Sequence, residues 1–322
     1  MLTTTDIRTE ATAVLDAVGT VVVGRNRTQR LALAGVLAGG HVLFEDVPGL
    51  GKTLMARSLA QALGLEFRRI QCTPDLQPAD ITGSFVYDPT EREFSFREGP
   101  VFTGLLLADE INRTPPKTQA AMLEAMQERQ VTVEGRTFPL PKPFHVLATS
   151  NPIEYEGTYP LPEAQLDRFL LRLDVGYPPA DEEAEVLRRR IARQREDTVL
   201  DPVMDAARLA DLQAALERVA IDDDVLRYCV DLAGGTRTHR AVEVGASPRG
   251  SQALLLVARA LAVLDGREYV LPEDVKECAV AALAHRLTLR AETWSSGLTG
   301  AQVVTELLEQ VAGPATTRPD PT

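Results

Sequence analysis

The sequence predicts an α/β domain with a five-stranded parallel sheet, followed by a smaller, all-helical domain. Two observations predict this order. Five short segments with strand patterns, either apolar runs or alternating residues, are separated by segments of helical periodicity, as in βαβ proteins. The strand segments are 41–45, 67–72, 105–108, 144–149 and 171–175. Beyond Tyr177-Pro178-Pro179 the chain carries helical patterns alone, at about 180–195, 205–218, 222–234, 250–265, 272–286 and 299–311.

These patterns set the expected domain boundaries. We place the α/β domain at residues 1–177 and the helical domain at 178–312. The Pro- and Thr-rich segment 313–322 is expected to be a disordered tail.

Composition narrows the class of protein. The chain has 322 residues, 44% hydrophobic and 25% charged, which is ordinary for a globular protein. Its net charge of −12 disfavours non-specific binding of nucleic acid or of anionic membranes. The three cysteines are scattered along the chain, which indicates a reducing compartment. No apolar run approaches the roughly 18 residues that a membrane-spanning helix needs. We therefore expect a cytoplasmic protein with no membrane insertion.

Two helices are expected before the first strand. Thr5 or Asp6 can cap a helix that runs to about Val18, and a second helix is expected from Gln29 to Leu37. The apolar segment between these helices ends in a turn at Gly24-Arg25.

The turn after the first strand carries a phosphate-binding signature. Gly49, Gly51, Lys52 and Thr53 match the core of the P-loop pattern. Small residues let backbone N–H groups surround phosphate oxygens, and the helix that begins at Lys52 directs its N-terminus to the same place. Lys52 would reach the β- and γ-phosphates, and the Thr53 hydroxyl is a suitable Mg²⁺ ligand. The candidate nucleotide-binding residues of this turn are Pro48, Gly49, Leu50, Gly51, Lys52, Thr53 and Leu54.

One position departs from the general signature. Asp46 stands where the pattern has glycine, five residues before Gly51. Phosphates would repel a carboxylate, so we expect Asp46 to point away from them or to cap a turn.

Two later strands end in polar residues suited to phosphate chemistry. The run 105–108 is apolar throughout, as in a strand buried on both faces, and it ends at Asp109-Glu110. Asp109 would hold Mg²⁺, directly or through water, and Glu110 would act as general base toward the attacking water. Asn151 follows the next buried strand and can hydrogen-bond that water or the γ-phosphate, although Asn before Pro is also a common turn.

Two β-hairpins and two further helices complete the first domain. Alternating patterns predict hairpins at 85–96 and 130–140. Helices are expected from Pro115-Pro116 to Glu128 and from Pro162 to Leu171.

Four segments, in order, resemble the MoxR family of AAA+ ATPases. They are GHVLFEDVPGLGKT, LLLADEINRTPPKTQAAMLEAMQE, ATSNPIEYEGTYPLPEAQLDRF and GASPRG, and the resemblance covers about residues 3 to 311. Asp46, unusual in a general P-loop, is typical of this family.

The resemblance implies roles that spacing alone does not reveal. Asn151 takes the position of sensor 1, and Arg249 that of sensor 2, an arginine of the lid domain that reaches the γ-phosphate. Arg168 matches the arginine finger, which acts on ATP bound by the neighbouring subunit. Val23 and Gly24 lie where the family contacts adenine. The implied cofactors are ATP and Mg²⁺, and the implied assembly is a homo-oligomeric ring, usually a hexamer, in which the two hairpins face the pore or a client.

The implied function is ATP hydrolysis coupled to chaperone-like remodelling, maturation or cofactor insertion of client proteins. The resemblance also implies a partner protein with a von Willebrand A domain. Two alternatives stay open. One is another motor of the same clade, such as a metal-chelatase subunit or a DNA helicase, although the acidic chain carries no nucleic-acid module. The other is a nucleotide-dependent scaffold that hydrolyses ATP poorly, against which Lys52, Asp109, Glu110 and Arg168 argue.

Overall fold

The computed structural model describes residues 3–47, 49–152, 157–194 and 198–314. The strands, in chain order, are β1 (Val42–Glu45), β2 (Phe67–Gln71), β3 (Gly83–Asp88), β4 (Glu93–Glu98), β5 (Leu105–Asp109), β6 (Gln130–Val133), β7 (Arg136–Pro139), β8 (His145–Ser150), β9 (Leu171–Leu173), β10 (Val242–Val244) and β11 (Thr288–Leu289). The α-helices are α1 (Thr4–Val21), α2 (Asn26–Leu37), α3 (Lys52–Ala62), α4 (Pro78–Thr82), α5 (Pro116–Glu128), α6 (Glu163–Leu166), α7 (Ala180–Arg193), α8 (Ala206–Leu216), α9 (Asp223–Thr238), α10 (Pro248–Leu264), α11 (Pro272–Leu283) and α12 (Gly300–Gln310).

The predicted five-stranded parallel sheet is confirmed, and its strand order positions the functional motifs. The order is β2-β5-β8-β1-β9, with every neighbouring pair parallel. Strands β5, β8 and β1 are therefore adjacent, although other elements separate them in the chain. Since parallel strands end at the same edge, the segments that follow these three strands meet there.

The core lies on both faces of this sheet. Val42 and Phe44 pack into a cluster that includes side chains of α2 and α3, whereas Leu43 packs into a second cluster with Met122 and Leu123 of α5. Burial on both faces explains why the central strands are continuously apolar rather than alternating.

Beyond β9 the chain forms α7 to α12 together with a short antiparallel pair, β10 and β11. This pair refines the expectation of helices alone. Helix α10 is almost wholly apolar on its buried side and packs against α9 and α11. The first helix of the chain, α1, also packs against α10, so the N-terminal segment joins the two domains.

Several helix boundaries differ from the sequence-based expectation, including the end of α9, which extends to Thr238 rather than 234. Helix α1 begins at Thr4 because Thr3, not Thr5 or Asp6, is its cap, and Asp6 completes a capping box with Thr3. Helix α2 begins at Asn26 rather than Gln29, directly after Arg25 in the left-handed conformation. The helix expected at 162–171 is only Glu163–Leu166, because the chain then extends to pair with β1.

Both predicted hairpins are present, as β3–β4 and β6–β7. They contact each other through Phe96 and Phe138, whose rings stack with centroids 3.9 Å apart. Arg136 lies over the ring of Phe85, so the base of the first hairpin is held by the second. The tip of the first hairpin leaves Tyr87 and Phe94 exposed. No helix in the described part of the chain has the length and apolar character needed to cross a membrane.

Candidate active site

A cleft of about 290 Å³ opens at the carboxyl ends of β1, β5 and β8. Its lining comprises Gly49, Gly51, Lys52, Thr53, Arg69, Gln71, Asp109, Glu110, Thr149, Ser150 and Asn151. Residues from all three sequence motifs therefore face one space.

The turn after β1 has the backbone geometry of a phosphate cradle. Gly49 and Gly51 adopt φ angles of +84° and +81°, which a residue with a side chain rarely adopts. Gly51 caps α3, so the helix N-terminus opens on the cleft. Leu50 is buried in the core, and Leu54, on the first turn of α3, is partly exposed; neither side chain lines the cleft. Pro48 lies outside the described residues.

Asp46 points away from the cleft, as expected from its charge. Its Oδ2 accepts hydrogen bonds from the backbone N–H groups of Val175 (3.0 Å) and Gly176 (2.6 Å), and its Oδ1 accepts one from Val47 (2.7 Å). The carboxylate thus ties the start of the P-loop to the segment after β9.

Lys52 lies inside the cleft with its Nζ atom donating to the backbone carbonyl of Asp46 (2.5 Å). Burial lowers the pKa of Lys52, while nearby carboxylates, Asp46 first and then Asp109 and Glu110, favour its charged form. An incoming phosphate would offer the ammonium group a stronger partner than this neutral carbonyl.

Asp109 is positioned by Thr149 and lies beside Thr53. The Thr149 hydroxyl donates to Asp109 Oδ1 (2.6 Å), and the Thr53 hydroxyl lies 3.4 Å from Oδ2. A carboxylate and a hydroxyl oxygen on one side of a phosphate cleft are the hard ligands that Mg²⁺ prefers, so these residues fit that ion.

Glu110 occupies an unusual backbone conformation. Its φ angle is +60°, in the left-handed region, and its N–H donates to Thr149 Oγ1 (2.8 Å). One hydroxyl, that of Thr149, therefore orients both acidic residues. The Glu110 carboxylate accepts from Gln71 Nε2 (2.9 Å) and pairs with Arg113 (3.3 Å).

Asn151 is buried at the carboxyl end of β8 and lines the cleft. Its backbone carbonyl accepts from Asn112 Nδ2 (3.1 Å), which links this turn to the segment after Glu110.

The two predicted arginines lie elsewhere. In the described part of the chain, the cleft lining includes neither Arg168 nor Arg249. Arg168 is partly exposed in the turn after α6. Arg249, at the start of α10, has its Nη1 atom 3.9 Å from Asp167 Oδ2. Asp167 also accepts from Ser247 (3.1 Å) and from the buried guanidinium of Arg286 (2.8 Å), so this carboxylate connects the two domains.

The expected adenine-contacting segment lies at the start of α2 and close to α7. Val23 is nearly buried, and Gly24 has φ +65°. The Glu182 carboxylate lies directly against Gly24, leaving no room there for a Cβ atom.

Sequence reasoning missed four residues of the cleft: Arg69, Gln71, Thr149 and Ser150. Arg69 and Gln71 are two residues apart and so share one face of β2, and β2 lies at the sheet edge beside β5. The alternation of polar residues along β2 was the available signal, but only the strand order places it next to Asp109.

Comparisons with known proteins agree with this architecture. The model of the ATPase family associated with various cellular activities (AAA) matches residues 41–171, and the AAA lid domain model matches residues 234–307. The chain is 47% identical to the uncharacterized protein YeaC of Bacillus subtilis, with 93% of each chain covered. It is 43% identical to Chaperone MoxR1 of Mycobacterium tuberculosis, over 91% of this chain and 80% of that protein. A crystal structure of a Cytophaga hutchinsonii protein assigned as an ATPase superposes with a TM-score of 0.90 at 39% identity, covering 97% of both chains.

Proposed function

Since this chain belongs to the MoxR family of AAA+ ATPases, we propose that its hydrolysis of ATP drives the remodelling, maturation or cofactor insertion of client proteins. Membership makes the chain a chaperone-like ATPase. The roles of individual residues, the assembly and the client are proposals that the following observations support.

The observation that carries the proposal is the convergence of three strand ends on one cleft. Lys52 and the N-terminus of α3 bind the phosphates of ATP. Thr53 and Asp109 hold Mg²⁺, which when bound neutralises charge that develops on the transferred phosphoryl group. Glu110 accepts a proton from the attacking water, and Asn151 orients that water by a hydrogen bond.

Arg168 supports an oligomeric enzyme. Arg168 lies in a turn outside the cleft of its own subunit, so its guanidinium could contact ATP bound by a neighbouring subunit. A guanidinium supplied from a second subunit can stabilise transition-state charge, so we propose a homo-oligomeric ring, hexameric as in the family. Arg249, which begins α10, would leave Asp167 for the γ-phosphate when ATP binds and so report the nucleotide to the second domain.

The surface supports a protein client rather than a nucleic acid. The first hairpin exposes Tyr87 and Phe94 among acidic residues, and the chain has a net charge of −12. We propose that this hairpin contacts the client and that a von Willebrand A domain protein is the partner. The three cysteines are free and buried, which agrees with a cytoplasmic location.

The test combines turnover, mass and capture. Wild type, Glu110→Gln and Arg168→Ala are compared for ATPase rate and for mass by light scattering, with and without Mg²⁺ and ATP. Loss of the general base is expected to reduce turnover about 10²- to 10⁴-fold while ATP stays bound. Arg168→Ala is expected to be inactive alone, and mixing it with Lys52→Ala subunits should restore some activity because each supplies what the other lacks.

The ATP-bound Glu110→Gln protein then serves to capture the partner from cell extract. Identification of a von Willebrand A domain protein supports the proposal, whereas recovery of a metal-chelatase complex favours the alternative motor. If Arg168→Ala is a monomer and hydrolyses ATP at the wild-type rate, the proposed ring is wrong.

A further inference from the structure

Arg69 of β2 contacts the carboxylate that is expected to hold magnesium. Its Nη2 atom lies 2.6 Å and its Nε atom 3.0 Å from Asp109 Oδ2. Both N–H groups therefore converge on one oxygen. Nη2 also donates to Gln71 Oε1 (2.6 Å), which fixes the guanidinium in this orientation.

The same oxygen faces Thr53. Asp109 Oδ2 is the atom 3.4 Å from the Thr53 hydroxyl, whereas Oδ1 is already occupied by Thr149. Mg²⁺ binds carboxylate oxygens at about 2.0–2.1 Å and requires near-octahedral geometry. A guanidinium in hydrogen-bond contact with that oxygen would repel a divalent cation at close range and obstruct its ligand positions.

We propose that the Arg69 guanidinium binds Asp109 Oδ2, the oxygen that faces Thr53, when no nucleotide is bound. Mg²⁺ displaces the guanidinium from this oxygen when it enters with the nucleotide. This inference rests on the Mg²⁺ site proposed above. Arg69 balances the charge of Asp109 in a cleft that also contains Glu110, and it sets the Mg²⁺ concentration needed for loading. Its side chain is 45% exposed and lines the cleft, so the guanidinium has room to leave Asp109 and face the phosphates.

The chain offers a matched control on the same strand. Arg68 is adjacent in sequence but points to the opposite face of β2, where it pairs with Glu66 (2.9 Å). Removal of either arginine changes the net charge by the same amount. A difference between the two variants therefore reports position and not overall charge.

The experiment measures divalent-cation binding directly, with Mn²⁺ as the probe. Full-length wild type, Arg69→Ala, Arg69→Lys and Arg68→Ala are titrated with Mn²⁺ in the presence of ADP, and free Mn²⁺ is read from its electron paramagnetic resonance signal. An ion pair of this partial exposure corresponds to roughly a two- to fivefold change in an equilibrium constant. Arg69→Ala should therefore bind Mn²⁺ about two- to fivefold more tightly than wild type. Arg69→Lys should fall between the two, because lysine keeps the charge but not the converging N–H groups, and Arg68→Ala should match wild type.

The second readout is the free Mg²⁺ concentration that gives half-maximal ATPase rate. This concentration should be highest for wild type and Arg68→Ala, lower for Arg69→Lys and lowest for Arg69→Ala. Equal or weaker Mn²⁺ binding by Arg69→Ala overturns the inference, as does an equal effect of Arg68→Ala. Asp109→Asn separates this result from failure of the Mg²⁺ site itself. If Asp109→Asn weakens Mn²⁺ binding while Arg69→Ala changes nothing, only the role of Arg69 is wrong. If Asp109→Asn leaves binding unchanged, the proposed magnesium site is wrong, and the role of Arg69 with it.

Discussion

Lowering the pH from 7 to 5 is expected to destabilise the folded protein through two buried histidines at the base of the sheet. His41 precedes β1, and His145 begins β8; their side chains are 7% and 1% exposed. These strands carry the P-loop and Asn151 at their other ends, so the pair stabilises the part of the sheet that positions the site.

The hydrogen bonds around both imidazoles require the neutral form. His41 Nδ1 accepts from the N–H of Val146 (2.9 Å), so its Nε2–H donates to the Met126 carbonyl (3.1 Å). His145 Nδ1–H donates to the Gly40 carbonyl (2.9 Å), so its Nε2 accepts from the side-chain amide of Gln213 (3.0 Å). Protonation would place a new N–H against an existing donor at each acceptor nitrogen.

The magnitude follows from the pKa values. Burial, with a smaller contribution from His145, lowers the pKa of His41 from 6.5 to about 3, and burial lowers that of His145 to about 4. Below pH 6.5 the unfolded chain binds protons that the folded chain does not, so stability is complete above that pH and falls as pH decreases toward the folded pKa values. At pH 5 the loss is about 2 kcal/mol for each histidine, at about 1.4 kcal/mol per pH unit. The pair thus removes roughly 4 kcal/mol from a typical stability of about 5–15 kcal/mol.

The assay is urea unfolding at pH 7, 6 and 5 on wild type and His145→Gln. The variant is expected to start from lower stability at pH 7 but to lose about 2 kcal/mol less between pH 7 and 5, because one buried acceptor has been removed. Burial also lowers the pKa of His285, but that contribution is common to both proteins, so the difference between them reports His145 alone. If wild type and His145→Gln lose stability equally over this interval, the pKa of His145 is not depressed and the reasoning fails.

Three further predictions concern other parts of the molecule. Asp46→Ala removes a carboxylate that accepts three backbone hydrogen bonds, so urea unfolding should show a loss of about 2–3 kcal/mol; a loss below 0.5 kcal/mol would contradict its role as an anchor. Asp167→Asn leaves the Arg286 guanidinium, whose side chain is 3% exposed, without its anionic partner and should cost about 3 kcal/mol. Adding Arg286→Met should recover part of that loss, and no recovery would argue against the pair. Phe138→Ala removes the ring that stacks on the first hairpin and should speed tryptic cleavage within that hairpin, whereas Phe94→Ala, at an exposed ring, should not; equal cleavage rates would show that the hairpins are not coupled.

Elements that depend on neighbouring residues were predicted correctly, whereas boundaries that depend on pairing with distant residues were not. The five strands and the hairpins were predicted correctly because alternation and apolar runs are local patterns. The start of α1 was misplaced because four consecutive residues, from Thr3 to Asp6, can each cap a helix. The helix predicted at 162–171 was too long because pairing of β9 with β1 overrides local helical preference.

The residue types proposed for catalysis could be predicted from the sequence, since a Gly-Lys-Thr turn and acidic and amide residues at strand ends are recognisable from their neighbours alone. Which groups these residues contact depends on the tertiary structure. The order of the strands brings Arg69 to Asp109, and the path after β9 brings Val175 to Asp46. Such contacts join residues tens to more than a hundred positions apart. They depend on how whole elements pack, and no local pattern in the chain encodes that packing.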